Sequence, residues 1–179
     1  MPLTTYSAGQ VLTASSLNAN LSFAASAGAT DIAIFNETQA NGTNGGSSVV
    51  TAWTKRTLNT TVVNNIGATL TSSVIALLAG TYSVEAHSPF LLSNSLKIKL
   101  RNTTDSTDTI IGQNNYFDKA NSVGGLAILQ GYFVITATKN FELQYWVKDA
   151  ETTNGLGTAT TGGTGVSEIY SIIKIIKVA

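Results

Sequence analysis

The sequence predicts an all-β chain, an antiparallel sandwich or barrel preceded by a short arm. Three observations carry that expectation. From Trp53 onward the chain divides into strand-length runs in which apolar and polar residues alternate, the period-2 signature of a half-buried strand. Clusters of Asn, Asp, Gly and Thr separate these runs at 102–108, 114–125, 138–140 and 150–165, with no convincing helix between them. The composition suits such a scaffold: 43% of the 179 residues are hydrophobic, 11% are charged and only two are proline. Ordinary soluble domains are about 25% charged.

The first element is the arm. Residues 11–27 read as a short helix in which Thr13 or Ser15 can accept from the unpaired N–H groups of the first turn. Leu17, Leu21 and Ala24 recur at helical spacing and Gly28 can end the run. The segment holds almost no charge to solvate its other face, so it is expected to dock on something. Residues 1–29 are therefore read as an attachment arm, helical or extended, and 30–179 as the β-domain. Val11, Leu12, Leu17, Leu21 and Phe23 are its candidate contact residues.

The strands follow. Asp31–Gln39 carries alternating Ile32 and Ile34, and 41–48 is rich in the Gly, Asn and Ser that favour a flexible loop over packed structure. In 81–87, Tyr82, Val84 and Ala86 share a face. Leu96, Ile98 and Leu100 alternate with Lys97, Lys99 and Arg101, which predicts a buried side and a wet side. Phe141, Leu143, Tyr145 and Val147 alternate in the same way with Glu142, Gln144 and Trp146.

Two runs break that pattern. Gly131–Ile135 is apolar on both faces. In 168–178, Ile169, Ile173 and Ile175 fall on one face and Tyr170, Ile172, Ile176 and Val178 on the other, with Lys174 among the latter. An antiparallel strand that is apolar on both sides needs a cover for its outer side. Another copy of the chain supplies that cover most simply, and a heterologous contact that closes after three copies buries it around an axis. The alternative is that the arm folds back over the strand within one chain. Tyr132, Val134, Trp146, Tyr170, Ile172 and Ile176 are the candidate interface residues.

Several functions are excluded or left without support. A net charge of zero, from ten basic and ten acidic residues, argues against a nucleic-acid partner. Without cysteine there is no disulfide, thiolate zinc site or cysteine nucleophile. Residues 1–10 lack the basic start and apolar stretch of a secretory signal, and no run approaches the ~18 apolar residues of a membrane-spanning helix. His87 is the sole histidine; it shares a face with Glu85, and a hydrogen-bonded strand histidine is its simplest reading. Asp105 and Asp108 lie in a Thr-rich turn, where Asp commonly bonds backbone rather than calcium. Glu142, Asp149, Glu151 and Glu168 show no spacing that selects a glycosidase pair. The glycines at 155–165 lack the Gly-Lys-Ser/Thr ending and following helix of a phosphate loop. No catalytic residue, cofactor or metal is expected. Trp53, Tyr116, Phe117 and Trp146 are candidates for a glycan-binding surface, although a subunit contact is the preferred role for Trp146.

From Trp53 to the end the chain resembles the tumour-necrosis-factor-like, or complement-globular-head-like, jelly-roll modules of tailed-bacteriophage structural proteins. The matching stretches are 53–59 (WTKRTLN), 78–82 (LAGTY), 100–105 (LRNTTD), 131–135 (GYFVI), 141–145 (FELQY), 154–157 (NGLG) and 168–170 (EIY), in the family's order. Residues 9–18 (GQVLTASSLN) resemble a segment that opens many phage fibre and appendage proteins. The resemblance implies a ten-strand-type jelly roll, a homotrimer and a place on the virion surface. The function it implies is non-enzymatic: a capsid decoration (cement) protein anchored by its arm to the major capsid protein. The alternative is a tail-fibre or tail-tip knob joined to a tail or fibre component and binding a host receptor, with a host surface glycan as partner.

Overall fold

The computed structural model describes residues 13–15, 18, 31–50, 52–160 and 163–178. The chain divides into two compact units, Met1–Thr30 and Asp31–Ala179. In the first, residues 14, 15 and 18 are helical; Val11, Leu12, Leu17, Leu21 and Phe23 lie outside the described residues.

The second unit is all-β. Its strands are β1 (Ile32–Gln39), β2 (Thr54–Lys55), β3 (Thr60–Asn64), β4 (Thr69–Thr71), β5 (Val74–Leu77), β6 (Gly80–Leu91), β7 (Asn94–Asn102), β8 (Thr107–Ile111), β9 (Asn115–Phe117), β10 (Gly124–Ile135), β11 (Lys139–Val147) and β12 (Glu168–Lys177). They form two antiparallel sheets. One is five-stranded, in the order β10-β6-β12-β1-β3. The other runs β4-β5-β11-β7-β8, with the short β2 and β9 added on β11 and β7. The ten strands of the two main orders match the number that the resemblance implies; β2 and β9 are additions. Tight turns join neighbours, as where Ser72 and Ser73, both at positive φ, connect β4 to β5.

The core lies between the sheets and follows the alternation. Tyr82, Val84 and Ala86 of β6 face Leu96, Ile98 and Leu100 of β7 and Phe141, Leu143, Tyr145 and Val147 of β11 across the sandwich, all nearly inaccessible. Aromatic rings tie the layers together: Phe133 stands 5.7 Å from Tyr82 and 5.2 Å from Phe141, and Phe90 stands 5.6 Å from Tyr145. Each such buried side chain contributes about 1.5–3 kcal/mol of transfer free energy.

Lys99 departs from its expected wet face, and an ion pair is buried between the sheets. Lys99 is buried because the Trp53 ring covers its ammonium, 4.1 Å from the ring centroid, while Asp108 pairs with it at 2.8 Å. Arg56 is fully buried between the sheets. Its Nη2 lies 2.6 Å from Glu37 Oε2 and donates to the Leu156 carbonyl at 2.9 Å, and its guanidinium carbon sits 5.3 Å from the centre of the Phe90 ring and 5.9 Å from that of Tyr145. Burial lowers the Arg56 pKa from its usual value, and the Glu37 carboxylate opposes that shift.

The 41–48 segment is not the free loop that its composition suggests. Gly45 donates to Gly157, Ser48 to Glu151 and, in return, Leu156 to Gly46, so the segment zips against 150–160. Short polar side chains tighten the seam: Asn44 accepts from the Ala159 N–H and Tyr170 donates to the Thr43 carbonyl. Gly157 makes this packing feasible, because its φ of +125° brings backbone against the Tyr170 ring where no Cβ fits.

Candidate functional site

The outer face of the five-stranded sheet is the first candidate. Strand pairing aligns its side chains in rows that run across β10, β6, β12 and β1. Tyr132, Ser83, Ile176 and Ile32 form one row. Gln130, Glu85, Lys174 and Ile34 form the next, and Ile128, His87, Ile172 and Asn36 a third. Val134 extends the apolar area at one end and Leu126 at the other. Tyr132 and Val134 are 62% and 63% exposed, and Leu126 and Ile169 about half. In the middle, Lys174 Nζ pairs with Glu85 at 2.5 Å. The lysine's hydrogen bond, followed by its charge, holds the Glu85 carboxyl below the usual range. Four of the six predicted interface residues, Tyr132, Val134, Ile172 and Ile176, therefore share one face.

The other two do not. Tyr170 points into the molecule because β12 carries a bulge. From Asn36 to Thr38 the partner strand advances two residues, while β12 goes back three, from Ile172 to Ile169. The extra residue lets Tyr170 and Ser171 both be buried and turns Ile169 outward, 54% exposed, away from the side of Ile173 and Ile175. Simple alternation assigned Ile169 and Tyr170 to the wrong sides for that reason. Trp146 does face outward, but from β11, in the other sheet.

There it helps form a second feature, a cleft of about 490 Å³ lined by Trp53, Trp146, Tyr116, Lys97, Asn114 and Asn115, with Ser95 and Leu96. Register explains the assembly. Trp146 pairs with Lys97 on β7, Ser95 pairs with Tyr116 on β9, and Trp53 enters β2 alongside β11.

No protein-family model matches the chain, and no curated protein matches its sequence. Solved structures do match its backbone. The globular domain of zebrafish complement 1qA superposes with a TM-score of 0.52 over 82% of this chain and 97% of that one, at 12% identity. The Eiger TNF of S. frugiperda superposes with a TM-score of 0.52 over 84% and 93%, at 14% identity. The fold is the TNF/C1q-type jelly roll. Murine APRIL at pH 5.0 is a further match, with a TM-score of 0.50 over 82% of this chain and 99% of that one, at 7% identity. At such identities the likeness concerns the fold alone, and function has to be argued from the faces of this jelly roll.

The remaining polar candidates, His87 apart, are each engaged within the jelly roll, and among the described residues no hydrogen bond holds the His87 imidazole. His87 stands in the apolar row between Ile128 and Ile172. Asp105 accepts from Lys139 and Asn102, and Asp108 from Lys99 and Arg101; these contacts hold both carboxyls below the usual range. Glu142 accepts from Gln144, Asp149 from Asn94, and Glu151 from the Thr152 N–H. The Glu168 carboxylate accepts from the Gly42 and Thr160 N–H groups, which lower its pKa and close the loop seam. Among the described residues no group of three or more His, Cys, Asp or Glu is placed to hold a metal.

Proposed function

We propose that this chain is a non-enzymatic structural protein that assembles as a homotrimer through the outer face of its five-stranded sheet. On the surface of a bacteriophage virion it serves as a capsid decoration protein, with residues 1–29 attaching to the major capsid protein. One observation carries the assembly: Tyr132, Val134 and Ile176 on one side of the Gln130–Glu85–Lys174 row, and Leu126, Ile128, Ile172 and Ile169 on the other, place two apolar areas on one sheet face without a cover among the described residues. Monomeric proteins rarely leave so many large apolar side chains exposed on one face. A heterologous contact between such faces closes into a ring of three. The virion role draws on the sequence resemblance of 53–179 to phage jelly-roll modules. A second reading, a tail-fibre or tail-tip knob, is favoured by the fibre-like opening at 9–18.

Sedimentation of the full chain tests the assembly. Three copies are expected, and Ile176→Asp, on the outer face, yields a folded, soluble monomer, whereas Ile173→Asp, in the core, unfolds the chain. A stable wild-type monomer refutes the trimer. Removal of 1–29 is expected to leave a folded trimer that no longer binds particles; full particle binding by that truncation refutes the role of the arm. Copy number separates the two virion sites: hundreds of copies over the head mean decoration, a few at the tail mean a fibre.

A further inference from the structure

The cleft on the opposite sheet has the chemistry of a binding site, and the trimer face is on the other side of the sandwich. We propose that it binds an acidic saccharide, a pyranose unit bearing one carboxylate.

Its aromatic surfaces come first. Both tryptophans of the chain line it, together with Tyr116, which is 63% exposed. The flat, weakly polar C–H face of a pyranose stacks on such rings, and aromatic walls with a few polar groups are the usual makeup of small-ligand sites. The polar groups are of the matching kind. Asn114 and Asn115 offer amides that can both donate to and accept from sugar hydroxyls. Among the described residues no hydrogen bond within the chain engages the Asn114 amide, the Tyr116 hydroxyl or either indole N–H, so all are available to a ligand.

Charge selects the class of sugar. The lining contains one cation, Lys97, and no carboxylate. Among the described residues Lys99 and Arg101 pair with Asp108 and Lys55 with Glu142, whereas no acid pairs with Lys97, nor with Lys148, which borders the cleft at Ser95 without lining it. Lys97 lies beside Trp146 in the strand register, so an anion on a ring stacked there reaches its ammonium. One cation complements one negative charge, which a uronic or sialic acid carries.

The walls are held in advance of binding. Trp53 is seated on the buried Lys99 ammonium. The segment leading to Asn114 is pinned where the Gly112 N–H donates to Ile98 and the Gln113 N–H to Ile128. A side chain at Gly112 would meet both of those carbonyl oxygens, at 2.8 and 2.7 Å, so that wall stays close to the sheet. Groups fixed in this way lose little freedom when a ligand arrives, which favours affinity.

Tryptophan emission of the full chain reads the site directly, since both fluorophores line it. The probes are trigalacturonate, sialyllactose and a hyaluronan tetrasaccharide, with maltotriose and chitotriose as neutral controls. At least one acidic probe is expected to change the emission saturably and to bind about tenfold or more tighter than either neutral control, the increment of one charge-assisted hydrogen bond. Lys97→Met brings the acidic probe down to the neutral level. Tyr116→Ala, at an exposed ring outside the core, weakens all binding while the melting temperature holds. Three results overturn the proposal: no acidic probe alters the emission, the neutral sugars bind as tightly, or Lys97→Met leaves the acidic affinity unchanged. A chain that sediments as a monomer yet binds the acidic probe refutes the trimer and leaves this site standing.

Discussion

The buried pair of Arg56 and Glu37 offers the sharpest test of how this jelly roll is held together. Both side chains are at most 1% exposed, and they meet at 2.6 Å between the sheets. Glu37 Oε1 and Arg56 Nη1 have no partner there. The pair is thus only partly satisfied, and its desolvation is offset by one ion pair, one carbonyl and two aromatic faces. Glu37→Gln leaves the guanidinium buried without its counter-charge, and Arg56→Met does the same to the carboxylate. Removing one member of a buried pair destabilises by about 3–5 kcal/mol. In a domain of this size each kcal/mol shifts the melting temperature by about 2–4 °C, so each single variant should melt about 6–20 °C below the wild type. Replacing both, Glu37→Leu with Arg56→Met, removes the unpaired charge along with the bond. That double variant should recover most of the loss and can exceed the wild type by about 1–4 kcal/mol. Urea and thermal unfolding at one fixed protein concentration measure all four corners of the cycle, the fixed concentration removing any mass-action effect of assembly. The reasoning fails if either single variant stays within about 1 kcal/mol of the wild type, the range of an ordinary substitution, or if the double variant is as unstable as the sum of the two.

Two further outcomes follow from the loops and the surface carboxylates. Gly157→Ala combines a disfavoured φ with a methyl group driven into the Tyr170 ring, and should destabilise by roughly 2–5 kcal/mol; Gly46→Ala, also at positive φ but with open space around it, should lose only about 1–2 kcal/mol. Equal losses at the two glycines would show that the seam does not press on Tyr170. Glu85, Asp105, Asp108, Asp118 and Glu168 all have pKa values lowered by hydrogen bonds or nearby cations in the folded state. Because the folded values lie below the unfolded ones, their contribution is complete above about pH 4 and is lost as the pH falls through the folded values. The melting temperature should therefore fall as the pH drops below about 4, with a shallower acid limb in Asp108→Asn. A melting temperature that is flat from pH 5 down to about pH 2 would contradict this.

Much of the core was legible in the sequence because period-2 alternation is a local property. Tyr82, Val84 and Ala86, and likewise Phe141, Leu143, Tyr145 and Val147, are buried as their spacing predicts. Arg56 was missed although it shares parity with Leu58, since an arginine is expected at the surface unless a buried acid is known to await it. Glu37 lies 19 positions earlier on a strand of the other sheet, and only the packing of the two sheets face to face brings the two together. The alternation of β7 predicts a solvated Lys99 for a similar reason: its cover, Trp53, lies 46 positions earlier, just ahead of β2, and β7 alone does not report it. Of the candidate interface set, Tyr132, Val134, Ile172 and Ile176 fall together because β10 and the part of β12 from Ile172 onward keep strict alternation, and Tyr170 departs because the bulge in β12 precedes that part. The aromatic cleft was half legible. Trp53, Tyr116 and Trp146 could be named as glycan-binding types, but their convergence depends on three strand pairings.

The sequence by itself determined that the chain is β-built, which residues alternate within each strand, and that two strands are too apolar for a single covered face. Those properties depend on neighbours two residues apart. Tertiary structure alone decided which sheet each strand joins, where the extra residue in β12 reverses the sides, and which distant side chains share a face or a cleft. Strand order and register are set by contacts between residues far apart in the chain, and alternation within one strand is the same whatever that strand pairs with.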